Sequence, residues 1–321
     1  MWVITPRPAV MFFSFNPPDK KSAMPSVMQY ILAPVRFGTR FLGPVKPSDP
    51  RLHAFALAFQ PLVGLAIGAV AAALPIFMAA YFRSLQGLML FASGVYIFLL
   101  EWTTRFDNLL GFDAACRVLA GTGVAPDERL ERLKQPGASP CTSLLIGLKL
   151  LLMYLIFMRS ALFGDHMMLM IVLALVPFIG RIAMLFSYPA TPGEQPGSVG
   201  SAVKVFWMLA AMLLTGFALG LLRTYGGDFF SLRTMKLTMS GFRSSGGNFG
   251  GVPPVIAIVS LGIQDMFTFL ASGFLTVLYW NTESSKKLGF SPSPCFAGAV
   301  AETAELASMI VFLLLADDII F

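Results

Sequence analysis

Two pairs of carboxylates draw notice in this 321-residue chain because of where they fall. Asp107 and Asp113 lie in EWTTRFDNLLGFDAACR (101–117), directly after a long apolar run, where a chain would be leaving a membrane. Glu302 and Glu305 lie inside AGAVAETAELASMIVFLLL, itself apolar enough to be a membrane helix. Ionisable groups at such depths are costly to hold and mark a site or a buried network. Glu302 and Glu305 are spaced i,i+3 and share one helix face. Asp107 and Asp113 are six residues apart, which sets them about 120° apart around a helix, so a bend near Gly111 would be needed for both to reach one ion. Paired carboxylates at a membrane face suit Mg²⁺, which in phosphoryl transfer neutralises phosphate oxygens. The plainer readings are that Asp107 and Asp113 face water from a loop, and that Glu302 and Glu305 sit at a late-starting helix N-terminus favoured by its dipole.

Arg181, in VPFIGRIAMLFSY, is a further charge inside an apolar run. A guanidinium there pairs with a carboxylate, grips a phosphate or snorkels to the interface. The loop after it, YPATPGEQPGSVGSAVK, has the glycines to cradle an anion with backbone N–H groups, and serves equally as a plain turn.

The elements that must hold these residues are membrane helices. The chain is 56% hydrophobic and 12% charged, against about 25% charged for a soluble domain, and its mean hydropathy is +0.74. A spanning helix needs about 20 apolar residues. Spans are expected near 54–82, 85–102, 143–163, 167–187, 205–222, 267–280 and 297–316, giving an all-α, polytopic membrane protein with about seven transmembrane helices. The apolar stretch 252–263 opens on Pro253-Pro254 and is too short to span. It either re-enters the membrane or joins 267–280 as one long broken helix. Residues 1–36 read as a largely disordered extension with no cleavable signal, and 37–321 as a single membrane domain. Basic residues before the first span place the N-terminus in the cytoplasm, and 103–142, 188–204 and 281–296 follow on the same side. The loop 223–251 would then be external although it is basic. Within 103–142, DERLERLK (127–134) has the pattern of a short solvated helix.

The net charge of +6 comes from scattered lysines and arginines, with no basic stripe interleaved with stacking aromatics, so no nucleic-acid partner is expected. Cys116, Cys141 and Cys295 form no CxxC motif or disulfide framework. Two isolated histidines argue against a histidine metal site.

Several segments together resemble the cobalamin synthase family, the adenosylcobinamide-GDP ribazoletransferases. FGTRFLGPV (37–45) is similar to the family's F-x-T-R-x-P-V, with Arg40 on its arginine, and QPLVGLAIGA (60–69) to its P-L-[IV]-G-x-x-x-G. Arg181, Tyr188 and PGSVGSAV (196–203) resemble its arginine, tyrosine and G-L-G segment. GAVAETAEL (298–306) resembles G-A-x-x-E-x-x-E-L, with Glu302 and Glu305 on its glutamates. The resemblance implies a polytopic enzyme that uses Mg²⁺ to join a GDP-activated corrinoid to α-ribazole, releasing GMP, at a cell inner membrane. It implies a site of Asp107, Asp113, Glu302 and Glu305, with Asp107 and Asp113 as metal ligands and Arg40 and Arg181 on substrate phosphates.

The family's acidic segment, H-x-D-G-x-x-D-x-x-D-G, is altered in this chain. Asp107 is in register, Arg105 stands for the histidine, Asn108 for the glycine, Gly111 and Ala114 for the other aspartates, and Asp113 falls one position short. Gln135 and Cys295 stand where two further aspartates belong. Mg²⁺ requires hard oxygen ligands that these replacements lack. The alternative is therefore a non-catalytic membrane subunit that keeps the family fold, packed against lipid and partners in a larger membrane complex. An ion path through Glu302 and Glu305, as in a transporter, is a third reading.

Overall fold

The computed structural model describes residues 27–39, 50–81, 86–104, 106–120, 139–163, 166–188, 199–225, 254–288 and 296–316. Among them are ten helices and no strand: α1 (Val27–Gly38), α2 (Pro50–Ala58), α3 (Gln60–Tyr81), α4 (Gln86–Thr103), α5 (Asp107–Ala120), α6 (Pro140–Phe163), α7 (His166–Ser187), α8 (Ser201–Tyr225), α9 (Pro254–Leu288) and α10 (Ala297–Ala316). Five helices contain stretches long and apolar enough to cross a membrane, namely Gln60–Met78, Pro140–Arg159, Leu169–Ser187, Ser201–Gly220 and Ala297–Leu315. Leu88–Thr103 is a shorter apolar helix. The chain is thus an all-helical, membrane-embedded protein.

Residues 27–36, read from sequence as part of an irregular extension, belong to α1, which packs on α2. Of the two readings of the stretch after Pro253-Pro254, the long helix joined to 267–280 holds, without the break, because α9 runs continuously from Pro254 to Leu288. A proline at the first turn lacks only an N–H that the helix would leave unbonded anyway. DERLERLK lies outside the described residues, as does the basic loop 223–251 apart from 223–225, which end α8.

Inside a bilayer the hydrophobic effect does not hold helices together. Close packing and satisfied polar groups do. α7 is the axis of the bundle, with 83% of its spanning segment buried, and it packs against α3, α9 and α10. Gly64 and Gly68 let α3 approach it. A Cβ at Gly68 would lie 2.5 Å from Pro177 Cγ and 2.8 Å from the Leu173 carbonyl oxygen, and one at Gly64 2.7 Å from the Pro177 carbonyl oxygen. Pro177 has no N–H, so the Leu173 carbonyl loses its helical donor. The buried Tyr96 hydroxyl of α4 donates to that carbonyl at 2.6 Å and replaces the missing bond.

The outer faces are apolar, as hydrocarbon demands of any spanning helix. On α6, Leu144, Leu148, Leu151 and Leu155 are exposed along one stripe, while Leu145, Lys149, Leu152 and Ile156 form the buried stripe. The helical period therefore turns Lys149, a lone cation in a run of leucines, toward the protein interior.

Between α4 and α5 the chain reverses through Phe106, whose φ of 59° is left-handed. This is an uncommon conformation for a bulky residue. It is held by hydrogen bonds from Phe106 N to the Glu101 carbonyl (2.8 Å) and from Asp107 N to the Thr104 carbonyl (3.1 Å). The turn leaves Glu101 in the last turn of α4 and Asp107 at the first residue of α5, where the helix dipole favours a carboxylate.

Candidate functional site

Four helices each bring charge to one buried point. Glu101 comes from α4, Lys149 from α6, Arg181 from α7, and Glu302 and Glu305 from the shared face of α10. All five are between 0% and 5% exposed. The Lys149 Nζ lies 3.0 Å from Glu101 Oε1 and 2.8 Å from Glu305 Oε2, and it also pairs with Glu302. The ammonium is therefore ringed by three carboxylates. Gly180 of α7 makes the room: a Cβ there would fall 2.6 Å from Glu305 Cγ.

Arg181 forms the second layer. Its Nη1 donates to Gln60 Oε1 at 3.3 Å, and Gln60 in turn donates through Nε2 to the Pro34 carbonyl at 3.1 Å, tying α1 to the centre. The guanidinium is within electrostatic reach of Glu305, Glu302, Glu101 and Asp107. Counted as formal charges, three carboxylates against Lys149 and Arg181 leave the centre one negative charge in excess. Among the described residues, Glu101 Oε2 and Glu302 Oε1 have no hydrogen-bond partner.

Among the described residues, Glu101, Glu302 and Glu305 are the group of three whose ligand atoms lie close enough to share an ion, within 4.8 Å of one another. Asp107 and Asp113 are outside it. Mg²⁺ needs near-octahedral oxygen coordination and keeps several waters. The ammonium already offsets the charge of these carboxylates, and the two oxygens it leaves, Glu101 Oε2 and Glu302 Oε1, do not make an octahedral set in so buried a site, so the donor set as arranged fits Lys149 and does not fit Mg²⁺.

Asp113 does a different job. Its Oδ1 accepts from Ser139 N at 2.5 Å and Thr142 Oγ1 at 2.6 Å, just before and within the first turn of α6. Its Oδ2 pairs with Arg117 Nη1 at 3.2 Å. Burial alone would raise this carboxyl, but the bonds from Ser139 and Thr142 and the charge of Arg117 outweigh it and hold the group below the usual range. A carboxyl lowered by folding contributes its stability above the unfolded value, and that stability is lost as pH falls through the folded value. Asp113→Asn is expected to cost about 1–3 kcal/mol near neutral pH. In thermal unfolding of detergent-solubilised protein, the gap between wild type and variant should close as pH drops below about 4. A gap that does not change with pH would assign the loss to packing.

Asp107 is exposed at the start of α5. Arg40 lies outside the described residues. Of the residues singled out from sequence, Glu302, Glu305 and Arg181 are brought together, whereas Asp113 is committed to the α5–α6 junction. Sequence reasoning missed Glu101 and Lys149 as partners of the two glutamates. Lys149 carried a usable signal, being a charge in the middle of an otherwise apolar span, the same pattern that singled out Arg181.

Comparison with protein-family models, with curated proteins and with solved structures finds no match. What fold and site define is a class: a helical, membrane-embedded protein whose bundle closes around a buried lysine–glutamate cluster.

Proposed function

We propose that the chain is a multi-pass protein of an inner membrane, N-terminus in the cytoplasm, built on the cobalamin synthase plan but without that family's Mg²⁺-dependent transfer, and that it works as an embedded subunit of a larger membrane complex. The observation that carries this reading is Lys149. The carboxylates that resemble the family's two glutamates are already paired with its ammonium, and Asp113 is held by Ser139, Thr142 and Arg117. Acidic groups used to fasten helices together are not open to a metal–diphosphate. The apolar stripes on α3, α6 and α8 would face lipid and neighbouring subunits.

A second reading, a divergent transferase acting on a nucleotide-activated corrinoid, is favoured by one feature. Asp107 keeps its place in the acidic motif, is exposed, and is within electrostatic reach of Arg181. Under that reading Asp107 would hold Mg²⁺ and Arg181 would offset substrate phosphate charge. Incubating purified protein with adenosylcobinamide-GDP, α-ribazole and Mg²⁺ separates the two. The subunit reading expects no GMP release and co-purification of a stable membrane assembly under mild detergent. GMP release that disappears in Asp107→Asn would establish the transferase instead.

A further inference from the structure

The Asp113 latch brings two cysteines to the same junction. Cys116 lies one turn beyond Asp113 on α5, on the same helix face. Cys141 lies between Ser139 and Thr142, the two residues that donate to Asp113. The Cys116 thiol is half-buried and within electrostatic reach of Cys141, whose side chain is exposed, and both are free thiols. The Asp113 clamp, one turn away, thus holds the two thiol-bearing segments against each other at one helix–helix junction, with Cys141 open to solvent.

We propose that Cys116 and Cys141 are a redox modification site, at which exchange with a small disulfide of the glutathione class forms a Cys116–Cys141 bond that locks α5 to the start of α6. In the first step the Cys141 thiolate attacks one sulfur of R–S–S–R. The expelled RS⁻ takes a proton and leaves as RSH, giving a mixed disulfide on Cys141. Cys116 then attacks the Cys141 sulfur, its proton passing to the second departing RS⁻. The dithiol is oxidised by two electrons and R–S–S–R is reduced to two RSH.

The surroundings set the order of events. Burial, together with the neighbouring Cys141 and Asp113, pushes the Cys116 thiol up to about 12, so it remains protonated and does not start the exchange. Entry is through exposed Cys141, and ring closure is the slow step. The lock bears on the rest of the fold because α5 also packs on α10, which carries Glu302 and Glu305, with Gly298 so close that a Cβ there would lie 2.7 Å from the Asn108 carbonyl oxygen. The inference rests on neither reading of function.

The test uses the full chain in detergent, treated with oxidised glutathione, alkylated, and mapped by peptide mass without reduction. The chain has three cysteines. The expected result is a linked pair of peptides containing Cys116 and Cys141, with Cys295 still alkylatable and only one free thiol per chain. An early glutathione adduct on Cys141 should decay into the linked product, and Cys141→Ser should leave Cys116 unmodified. In the oxidised protein, Asp113→Asn should lower the melting temperature less than it does in the reduced protein, because the disulfide replaces the latch. A persistent Cys141 adduct with Cys116 still alkylatable, a link to Cys295, or a link between two chains would each overturn the proposal.

Discussion

Replacing Lys149 with methionine is expected to be the most damaging single change in this protein. Methionine nearly preserves the volume and reach of the lysine stem and removes only the ammonium. Glu101, Glu302 and Glu305 would then share a buried pocket with Arg181 as the one remaining cation near them among the described residues. The excess negative charge would rise from one to two. Breaking a buried ion pair by removing one partner costs about 3–5 kcal/mol, because the charge left behind keeps its desolvation penalty. Here three carboxylates are left behind, so the loss should lie at the top of that range. It would be read as a large drop in the unfolding temperature by tryptophan fluorescence and as aggregation in size-exclusion chromatography. Glu302→Gln, which removes a negative charge from the same cluster and whose Oε1 has no hydrogen-bond partner among the described residues, should be far milder. Adding it to Lys149→Met returns the excess charge to one and should recover part of the loss. A Lys149→Met protein as stable as wild type would mean that the cluster is not an ionic one.

Gly68→Ala should produce the second large effect. Its Cβ would sit 2.5 Å from Pro177 Cγ, 2.8 Å from the Leu173 carbonyl oxygen and 2.9 Å from the Ala174 Cα, so two of the three nearest atoms are backbone and cannot turn aside. The same carbonyl accepts the Tyr96 hydroxyl, and any shift of α7 to relieve the clash would stretch that bond as well. Overpacking of this kind costs about 1–3 kcal/mol. Gly147 is the matched control, because a Cβ there meets nothing within 4 Å. Gly147→Ala should be neutral or stabilising by up to about 1 kcal/mol from helix propensity alone. Equal effects at the two sites, measured by thermal unfolding, would contradict the close approach of α3 and α7.

The contrast between these positions also shows what sequence could reveal. Helix class and the sites of most spans follow from apolar runs, since length and hydropathy are local properties. The GxxxG spacing of Gly64 and Gly68 marks a contact face, but only the bundle shows that the facing surface is Pro177 and that Tyr96 repairs the carbonyl the proline leaves open. Glu302 and Glu305 are recognisable as a buried pair because they share a helix face. Their countercharge is 153 residues before Glu302 (302 − 149), and pairing across such a separation depends on how helices are arranged rather than on local spacing. Asp107 and Asp113 invite a joint reading because they are near each other in sequence. The structure gives Asp113 to the α6 junction, a partner 26 residues away at Ser139 that no periodicity identifies. The start of α1 is obscured for a related reason: its internal Pro34 and short length suggest irregular chain, and it is tied in by contacts with α2 and by the Gln60 bond to Pro34.

Lys149, in the place a metal ion would take, faces Glu101, Glu302 and Glu305. Titration of the purified wild-type protein with Mn²⁺, followed by electron paramagnetic resonance as a stand-in for Mg²⁺, tests it most directly. No saturable site is expected, with the same weak response in wild type and in Glu302→Gln. One Mn²⁺ bound per chain, and lost in Glu302→Gln, would contradict it.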